Sequence, residues 1–523
     1  MNKKQLIAAV LAIMLLSSAC RKEETTWDAD FTVPIAKTTL SINQLIADSL
    51  LVTNPNNHII IAYNNRILNY GIDSILTIPD TVTSYAITTF ITGTVTPGQT
   101  IASSVETKSF SFEPARISQV DIENGFLVFT CLNPLSVPLK ITYSIPAAKR
   151  YGVPFLLSET IPAAQGGVPY RYENKINLSS YSIDMRGPNS DNCNRFLTSL
   201  TIVTDPNGAS AEVVPGLEFK FYTNFEKLQL RYVKGYLGND IQTTGPDSSY
   251  VEFFKKITGG TFSLNDIDVK LKISNGIGAD ITMVPQMLKG VNTRTSQEVA
   301  LTGDIIGKSC NITRSSETHQ YNNPVTPSIV QINFANTNIL SLIEALPDLM
   351  IFKSTMKLNP MGNISCGNDY IYARNGLTAD LNMKIPLTFK ANTLTLADTI
   401  NYTISENNDF NSGSVTLMIS NSFPMGAKIK LFILDANSQI TDEITAPNQT
   451  ISAGSETSNN IAVPSNSILK INFPKETLTR FLSSKKLLLV AELNTAGSNF
   501  VSINAQSKIQ LKIVGNFNTN IHF

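Results

Sequence analysis

The chain is short of histidine and of charge. Only three of its 523 residues are histidines, and these lie far apart at positions 58, 319 and 522. Histidine is the usual general base and a frequent metal ligand, so its scarcity argues against histidine-dependent catalysis. Charged residues make up 16% of the chain, below the roughly 25% of an average soluble protein, so Ser, Thr and Asn form much of the surface.

Neither sign of charge is in excess. The chain has 41 basic and 41 acidic residues, and loss of a leader with Lys3 and Lys4 would leave a net charge of −2. Nucleic-acid binding needs a concentrated basic surface. We therefore expect no nucleic-acid partner.

Recognisable catalytic and metal-binding motifs are also missing. The sequence has no H-E-x-x-H, no G-x-S-x-G, no glycine-rich phosphate loop and no EF-hand pattern. We expect no enzyme activity, no cofactor and no metal. A hydrolase of unfamiliar type would instead be expected to show a cleft with converging carboxylates.

One apolar run is long enough to form the core of a signal peptide, and it extends from Leu6 to Leu16. It follows two lysines and is too short for a membrane span, which needs about 20 residues, so it fits a signal peptide. It ends in Ser17-Ser18-Ala19-Cys20, which resembles the bacterial lipobox, although the usual leucine three places before the cysteine is replaced by Ser17. The resemblance implies lipidation at Cys20; an ordinary secretory signal with an incidental cysteine is the alternative.

The residues after Cys20 resemble an export signal. Lys22, Glu23 and Glu24 look like the motif that sends lipoproteins of the Bacteroidota to the outer face of the outer membrane. The periplasmic leaflet is the alternative location, and a plain charged tether the alternative role. The following Trp27-Asp28 and Pro34 resemble the opening of many uncharacterised Bacteroidota lipoproteins, and this resemblance implies no activity.

From residue 30 onward the pattern is typical of β-structure. Short or alternating apolar runs are broken by Asn, Gly and Pro every eight to twelve residues. Three short stretches have helical patterning: 249–257, 338–346 and 475–482. We predict an all-β fold of tandem β-sandwich modules with a few short helices.

A weak internal repeat supports the modules. Asn133, Asn275 and Asn421 each follow a strand with apolar residues six, four and two places earlier. Period-two spacing predicts that these residues share one buried face. The apolar residues are Leu127, Phe129, Cys131, Val269, Leu271, Ile273, Val415, Leu417 and Ile419, with Ile141, Met283 and Ile429 eight places after each asparagine.

The repeat sets the predicted domain boundaries. They are a signal peptide at 1–19, a lipidated tether at 20–30, an N-terminal β region at 31–115, and sandwich modules at 116–262, 263–403 and 404–523.

Four cysteines remain after Cys20. Their distribution suggests the bridges Cys131–Cys193 and Cys310–Cys366, because an exported chain passes through an oxidising compartment. The alternative is free thiols, since Cys131 falls on an inward position where a thiol acts as a small hydrophobe.

Four Asp-Ser/Thr-apolar triplets resemble the O-glycosylation sequon of exported Bacteroidota proteins. They would modify Ser49, Ser74, Thr81 and Thr399.

These observations favour a non-enzymatic outer-membrane lipoprotein, facing the cell exterior, that binds or scaffolds other outer-membrane or surface proteins. The alternative is a glycan-binding accessory lipoprotein of a nutrient-uptake system, which a surface cluster of tyrosines would favour.

Overall fold

The computed structural model describes residues 26–522 apart from 45, 47, 77, 79–80, 90–91, 252–253, 255–259, 319, 405–409, 445–448 and 498. Strands make up 62% of the structure and helices 6%, so the predicted all-β class is confirmed. No helix within these ranges is long and apolar enough to cross a membrane.

Six strands precede the first of the three asparagine-marked strands. They are β1 (Thr26–Ser41), β2 (Leu51–Thr53), β3 (Ile59–Tyr70), β4 (Thr81–Thr88), β5 (Gly93–Val95) and β6 (Thr100–Ser109).

Sandwich 1 is built on β7, which ends at Asn133. One half of its sheet has the order β4-β14-β7-β10, the other β6-β12-β8-β9, and β11 pairs with both β7 and β8. Its own strands are β7 (Arg116–Asn133), β8 (Leu139–Arg150), β9 (Val153–Ile161), β10 (Tyr170–Asn177), β11 (Ser182–Asp184), β12 (Arg195–Thr204), β13 (Ala211–Val213) and β14 (Glu218–Tyr236).

Sandwich 2 repeats this plan with two separate sheets. Their orders are β3-β26-β17-β23 and β15-β24-β18, with β19 and β20 beside β18. The strands are β15 (Ile241–Tyr250), β16 (Thr261–Leu264), β17 (Asp268–Asn275), β18 (Ile281–Asn292), β19 (Gln297–Ala300), β20 (Cys310–Ile312), β21 (Ser316–Glu317), β22 (Val325–Thr326), β23 (Ser328–Asn333), β24 (Leu349–Leu358), β25 (Asp369–Tyr372), β26 (Leu377–Pro386) and β27 (Thr388–Asn392).

Sandwich 3 has the same strand pairing as sandwich 2. Its sheets have the orders β1-β38-β29-β35 and β28-β36-β30, with β31 and β32 beside β30. The strands are β28 (Leu394–Asn401), β29 (Phe410–Asn421), β30 (Gly426–Leu434), β31 (Ile440–Ile444), β32 (Thr450–Ile451), β33 (Ser455–Glu456), β34 (Ala462–Val463), β35 (Ser465–Phe473), β36 (Lys486–Asn494), β37 (Val501–Ser502) and β38 (Lys508–His522).

Hydrogen bonds confirm that the three asparagines are equivalent. Each asparagine is fully buried, and its side chain holds the turn that follows its strand. Asn275 Nδ2 donates to the carbonyls of Ala279 (3.1 Å) and Thr313 (2.8 Å), and its Oδ1 accepts from the Ile277 N–H (2.9 Å). Asn133 and Asn421 make the same three bonds at the same offsets within their turns.

The predicted core positions are confirmed as well. Every apolar residue that the repeat placed on an inward face is at most 8% exposed, including Leu271 and Leu417. The intervening Lys270, Lys272 and Thr416 lie outside the core and keep contact with solvent. Period-two alternation therefore identified the buried face of all three sandwiches.

The N-terminal region of 31–115 contributes to all three sandwiches, in reverse order. Its strand β1 pairs with β38 of sandwich 3, β3 pairs with β26 of sandwich 2, and β4 pairs with β14 of sandwich 1. The boundary at 116 thus separates strands that share sheets, because the early segment supplies β4 and β6 to sandwich 1, β2 and β3 to sandwich 2, and β1 to sandwich 3. Sequence periodicity shows that a segment is a strand but not which sheet it joins.

In the described part of the chain, three short α-helices lie between strands: α1 (Ile72–Ile75), α2 (Ile339–Glu344) and α3 (Lys475–Ser483). The predicted helices at 338–346 and 475–482 correspond to α2 and α3. The prediction at 249–257 is wrong at its start, because Ser249 and Tyr250 end β15 and pair with β24; the rest of that stretch lies almost wholly outside the described residues.

Contacts join sandwich 1 to sandwich 2 and sandwich 2 to sandwich 3. At the first junction β25 pairs with β14, and the rings of Tyr232 and Tyr372 lie 4.5 Å apart. At the second, the Ile59 N–H donates to the Ile503 carbonyl at 2.9 Å, and β27 pairs with β37.

Candidate functional site

A cleft of about 1290 Å³ lies beside the junction of sandwiches 1 and 2. Its floor is the polar face of four adjacent strands, β14, β7, β11 and β8. Cross-strand pairing places Lys234 beside Gln119, Gln119 beside Asp184, and Ser182 beside Lys149. All five residues line the cleft, because cross-strand partners and residues two apart share one face of a sheet.

The opposite face of these strands explains why the polar side chains of the floor point toward the cleft. Val233, Val120, Ile183 and Ala148 alternate with the floor residues and are buried in the core of sandwich 1. Turning the strands over would expose this apolar set, so the polar row is held toward the cleft.

Cations dominate the cleft. Arg116, Lys149, Arg186, Arg231 and Lys234 line it. Arg186 binds Asp184 through two hydrogen bonds of 3.0 and 2.6 Å, and Arg231 lies 3.2 Å from Asp121. The other three have no carboxylate within ion-pair distance in the described part of the chain.

Among the residues that the structure describes, Asp184 is the one carboxylate that lines this cleft. Its hydrogen bonds from Arg186 lower its pKa, and the nearby charge of Lys149 acts in the same direction. The group therefore stays ionised and pairs with Arg186, whereas Arg116, Lys149 and Lys234 have no ion-pair partner among the described residues.

The loop after β11 forms one wall of the cleft. Gly187 has φ 78°, a backbone conformation that favours glycine. A Cβ at this position would also lie only 3.0 Å from the Arg195 Nε, so a larger residue would crowd the arginine side chain. Asn194 fixes the end of the loop: its Oδ1 accepts from the Ile117 N–H at 2.6 Å, and its Nδ2 donates to the Ala115 carbonyl at 2.9 Å.

The facing wall comes from the loop between β24 and β25. Asp369, fully buried, accepts hydrogen bonds from the Leu237 N–H (3.1 Å) and from Asn359 (2.7 Å). Arg314 lies 3.8 Å from the same carboxylate and donates to the Asn368 carbonyl at 2.7 Å. These contacts link the end of sandwich 1 to the wall supplied by sandwich 2.

Two tyrosines are displayed at the cleft. Tyr151 and Tyr321 line it and are 89% and 95% exposed. Tyr151 and Gly152 form the two-residue connection between β8 and β9, with φ 51° and 83°. Positive φ at both positions is characteristic of a type I′ hairpin turn, which places the Tyr151 side chain at the tip of the hairpin.

The residues singled out in the sequence lie elsewhere, with two exceptions. Cys20, Lys22, Glu23 and Glu24 lie outside the described residues. Cys193 and Cys366 line the cleft, Cys193 on the wall of sandwich 1 and Cys366 on the facing wall.

All four described cysteines are free thiols, so the bridges Cys131–Cys193 and Cys310–Cys366 are absent from the structure. Cys131 is fully buried in the core of sandwich 1, and burial raises the pKa of its thiol to about 12. Its side chain points inward from β7, whereas Cys193 lies in the cleft wall. Cys310 is on β20 beside β18, whereas Cys366 is exposed in the loop before β25.

The candidate O-glycosylation residues do not form a cluster with the cleft. Ser49 and Ser74 are exposed, Thr81 begins β4, and Thr399 is exposed on β28. Within the described residues, no three His, Cys, Asp or Glu side chains are grouped so as to hold a metal ion.

The cleft cations were not identified from the sequence. Arg116, Lys149 and Lys234 lie on three different strands, with no recognisable motif around them. Only the sheet order brings them together.

No protein-family model matches this chain, and no curated protein matches it. Among solved structures, it is similar to a candidate secreted protein from Parabacteroides distasonis, with 13% identity and a TM-score of 0.31. The match covers 53% of this chain and 82% of that protein. It carries no conclusion about function.

Proposed function

We propose that this chain is a lipid-anchored outer-membrane protein, facing the cell exterior, that binds an anionic partner in the cleft without chemically changing it. The Ser17-to-Cys20 signal and the Lys22-Glu23-Glu24 segment support the anchor and its direction. In this proposal the chain is the binding subunit of a surface assembly.

The strand order supports a cleft held away from the membrane. Thr26 pairs with His522, so the chain enters its fold at sandwich 3. Five residues lie between Cys20 and Thr26, and the six Cα-to-Cα steps span at most about 20 Å when extended, so sandwich 3 would stay near the lipid. The cleft belongs to sandwiches 1 and 2, with sandwich 2 between sandwich 1 and the anchored one.

The unpaired charge of Arg116, Lys149 and Lys234 is the observation that carries the proposal. In a protein without net charge, three unpaired cations in one concave site favour an anionic partner, since opposite charge in a cleft raises the local ligand concentration. The cleft carboxylate is held ionised by Arg186, which makes it a poor proton donor and supports a binding role over acid catalysis.

Crosslinking on intact cells, followed by affinity purification, tests this function. The combined variant Arg116→Glu, Lys149→Glu and Lys234→Glu should lose the partner that the parent captures. A matched control, Lys272→Glu, Lys384→Glu and Lys470→Glu, changes the same charge at exposed strand positions of sandwiches 2 and 3 and should retain it. Equal capture by both variants would contradict the proposal.

A further inference from the structure

We infer that the ligand of the cleft is an anionic oligosaccharide that carries carboxylate or sulfate groups. This inference rests on the proposed binding function and specifies its partner. It depends on three features of the cleft: the spacing of its cations, the polar groups between them, and the two exposed tyrosines.

The cations are spaced for an extended ligand. Lys234 and Lys149 stand on the first and last of four neighbouring strands, β14, β7, β11 and β8. Adjacent strands are about 4.8 Å apart, so the two lysines are based roughly 14 Å from each other across the floor. A chain with several charged groups matches this spacing, because separate groups can reach the two lysines without drawing their side chains together.

The floor between these lysines is built for hydrogen bonding. Gln119 lies on β7, beside Lys234 and on the side toward Lys149, and is held in place because its Nε2 donates to Asp121 (3.0 Å) and to the Ser182 hydroxyl (3.1 Å). Its amide carbonyl oxygen is left to accept a hydrogen bond from a ligand hydroxyl. Ser118 and Asn192 add further polar groups on the same lining. Hydroxyls of a sugar chain match such a surface.

The tyrosines distinguish a sugar from an acidic peptide. An aromatic ring exposed on nearly its whole surface offers an apolar face with a polar tip, which suits the C–H face and hydroxyls of a pyranose. Tyr151 comes from sandwich 1 and Tyr321 from sandwich 2, so an extended chain in the cleft can meet one ring from each module. An acidic peptide would gain from apolar pockets, and the side chains that line this cleft are mainly polar or charged.

Calorimetric titration of the purified chain with Cys20→Ser, which removes the lipid site, tests the inference. The probes are oligogalacturonate, a sulfated dextran, neutral dextran and polyglutamate of similar length. We expect the two anionic saccharides to bind and neutral dextran not to bind. Charge reversal at Arg116, Lys149 and Lys234 should abolish binding, and added salt should weaken it.

The tyrosine variants separate saccharide recognition from simple charge attraction. Tyr151→Ala with Tyr321→Ala should weaken oligosaccharide binding by about tenfold and leave the weaker binding of polyglutamate unchanged. Tyr170→Ala, at a tyrosine that does not line the cleft, is the control and should bind like the parent.

Two results would overturn the inference. One is polyglutamate binding as tight as saccharide binding with no effect of the tyrosine variants, which would make the cleft a general anion site. The other is no binding of either anionic saccharide while capture on cells still requires the three cations. In both cases the proposed binding function would stand. That function is contradicted only if capture of the partner on cells does not depend on Arg116, Lys149 and Lys234.

Discussion

Asn133 of sandwich 1 and Asn421 of sandwich 3 occupy the same structural position. Each side-chain amide donates to the carbonyl four residues later and to a second carbonyl about 30 residues later, directly after β9 in sandwich 1 and after β32 in sandwich 3. Each amide oxygen accepts from the N–H two residues later. Both residues have no exposed surface. A turn closed in this way needs an amide, because one group must donate and accept at once.

Replacing the equivalent residue of sandwich 2 tests this role. Asn275→Ala leaves the buried Ala279 carbonyl and the buried Ile277 N–H without their partner, and it frees the Thr313 carbonyl, which is only partly buried. A buried unsatisfied group costs roughly 1–3 kcal/mol, so we expect a loss of about 3 kcal/mol. Hydrogen exchange with mass spectrometry should locate the loss in sandwich 2. Asn64→Ala, at an exposed position of β3, is the control; equal effects of the two variants would contradict the role.

The buried face of the repeat is tested by two neighbouring residues. Leu417 is 1% exposed and Met418 is 44% exposed, since they point to opposite faces of β29. Leu417→Ala should cost sandwich 3 about 2–5 kcal/mol, because it removes buried methyl groups and leaves a cavity. Met418→Ala should change the urea unfolding midpoint little, and a larger effect of Met418→Ala would contradict the assignment of faces.

Lipidation is tested at the predicted acceptor. Cys20→Ser should abolish acyl labelling and move the protein into the soluble fraction, since the lipid is its proposed anchor. Membrane association that survives the substitution would mean that another anchor exists.

Surface display is tested in the same segment. Replacement of Lys22, Glu23 and Glu24 by Ala should keep the lipid but protect the protein from protease added to whole cells. The readout is the intact fraction after digestion. Equal digestion of variant and parent would show that these residues act only as a tether and not as an export signal.

Thiol labelling tests the free cysteines. In the unreduced Cys20→Ser protein at pH 8, Cys366 should react first because it is exposed. Cys131 should react only after unfolding, because it is buried and its pKa is raised to about 12, so almost none of it is thiolate. Recovery of a Cys131–Cys193 or Cys310–Cys366 bridged peptide would contradict the structure.

The fold was predictable from the sequence where local patterning determines it. Alternation before Asn133, Asn275 and Asn421 identified three cores, and short amphipathic stretches identified α2 and α3. The assignment of β1 and β3 to distant sandwiches was not predictable, because pairing partners hundreds of residues away leave no local pattern. The cleft was not predictable for the same reason, because no sequence pattern links Lys149 to Lys234. The two residues belong to one site only because β11 and β7 lie between their strands in the sheet.

The reverse placement of the first strands imposes an order on maturation during export. A chain that crosses the inner membrane from its N-terminus delivers β1 first and its partner β38 last. Sandwich 1 has all its strands once β14 has emerged, sandwich 2 once β27 has emerged, and sandwich 3 only at the end of the chain. Contacts of such high sequence separation form slowly, and an unpaired edge strand is prone to aggregate. In the proposed export route, β1, the strand that follows the proposed lipid site, is therefore the last to be secured, and it stays an unpaired edge until the end of the chain arrives.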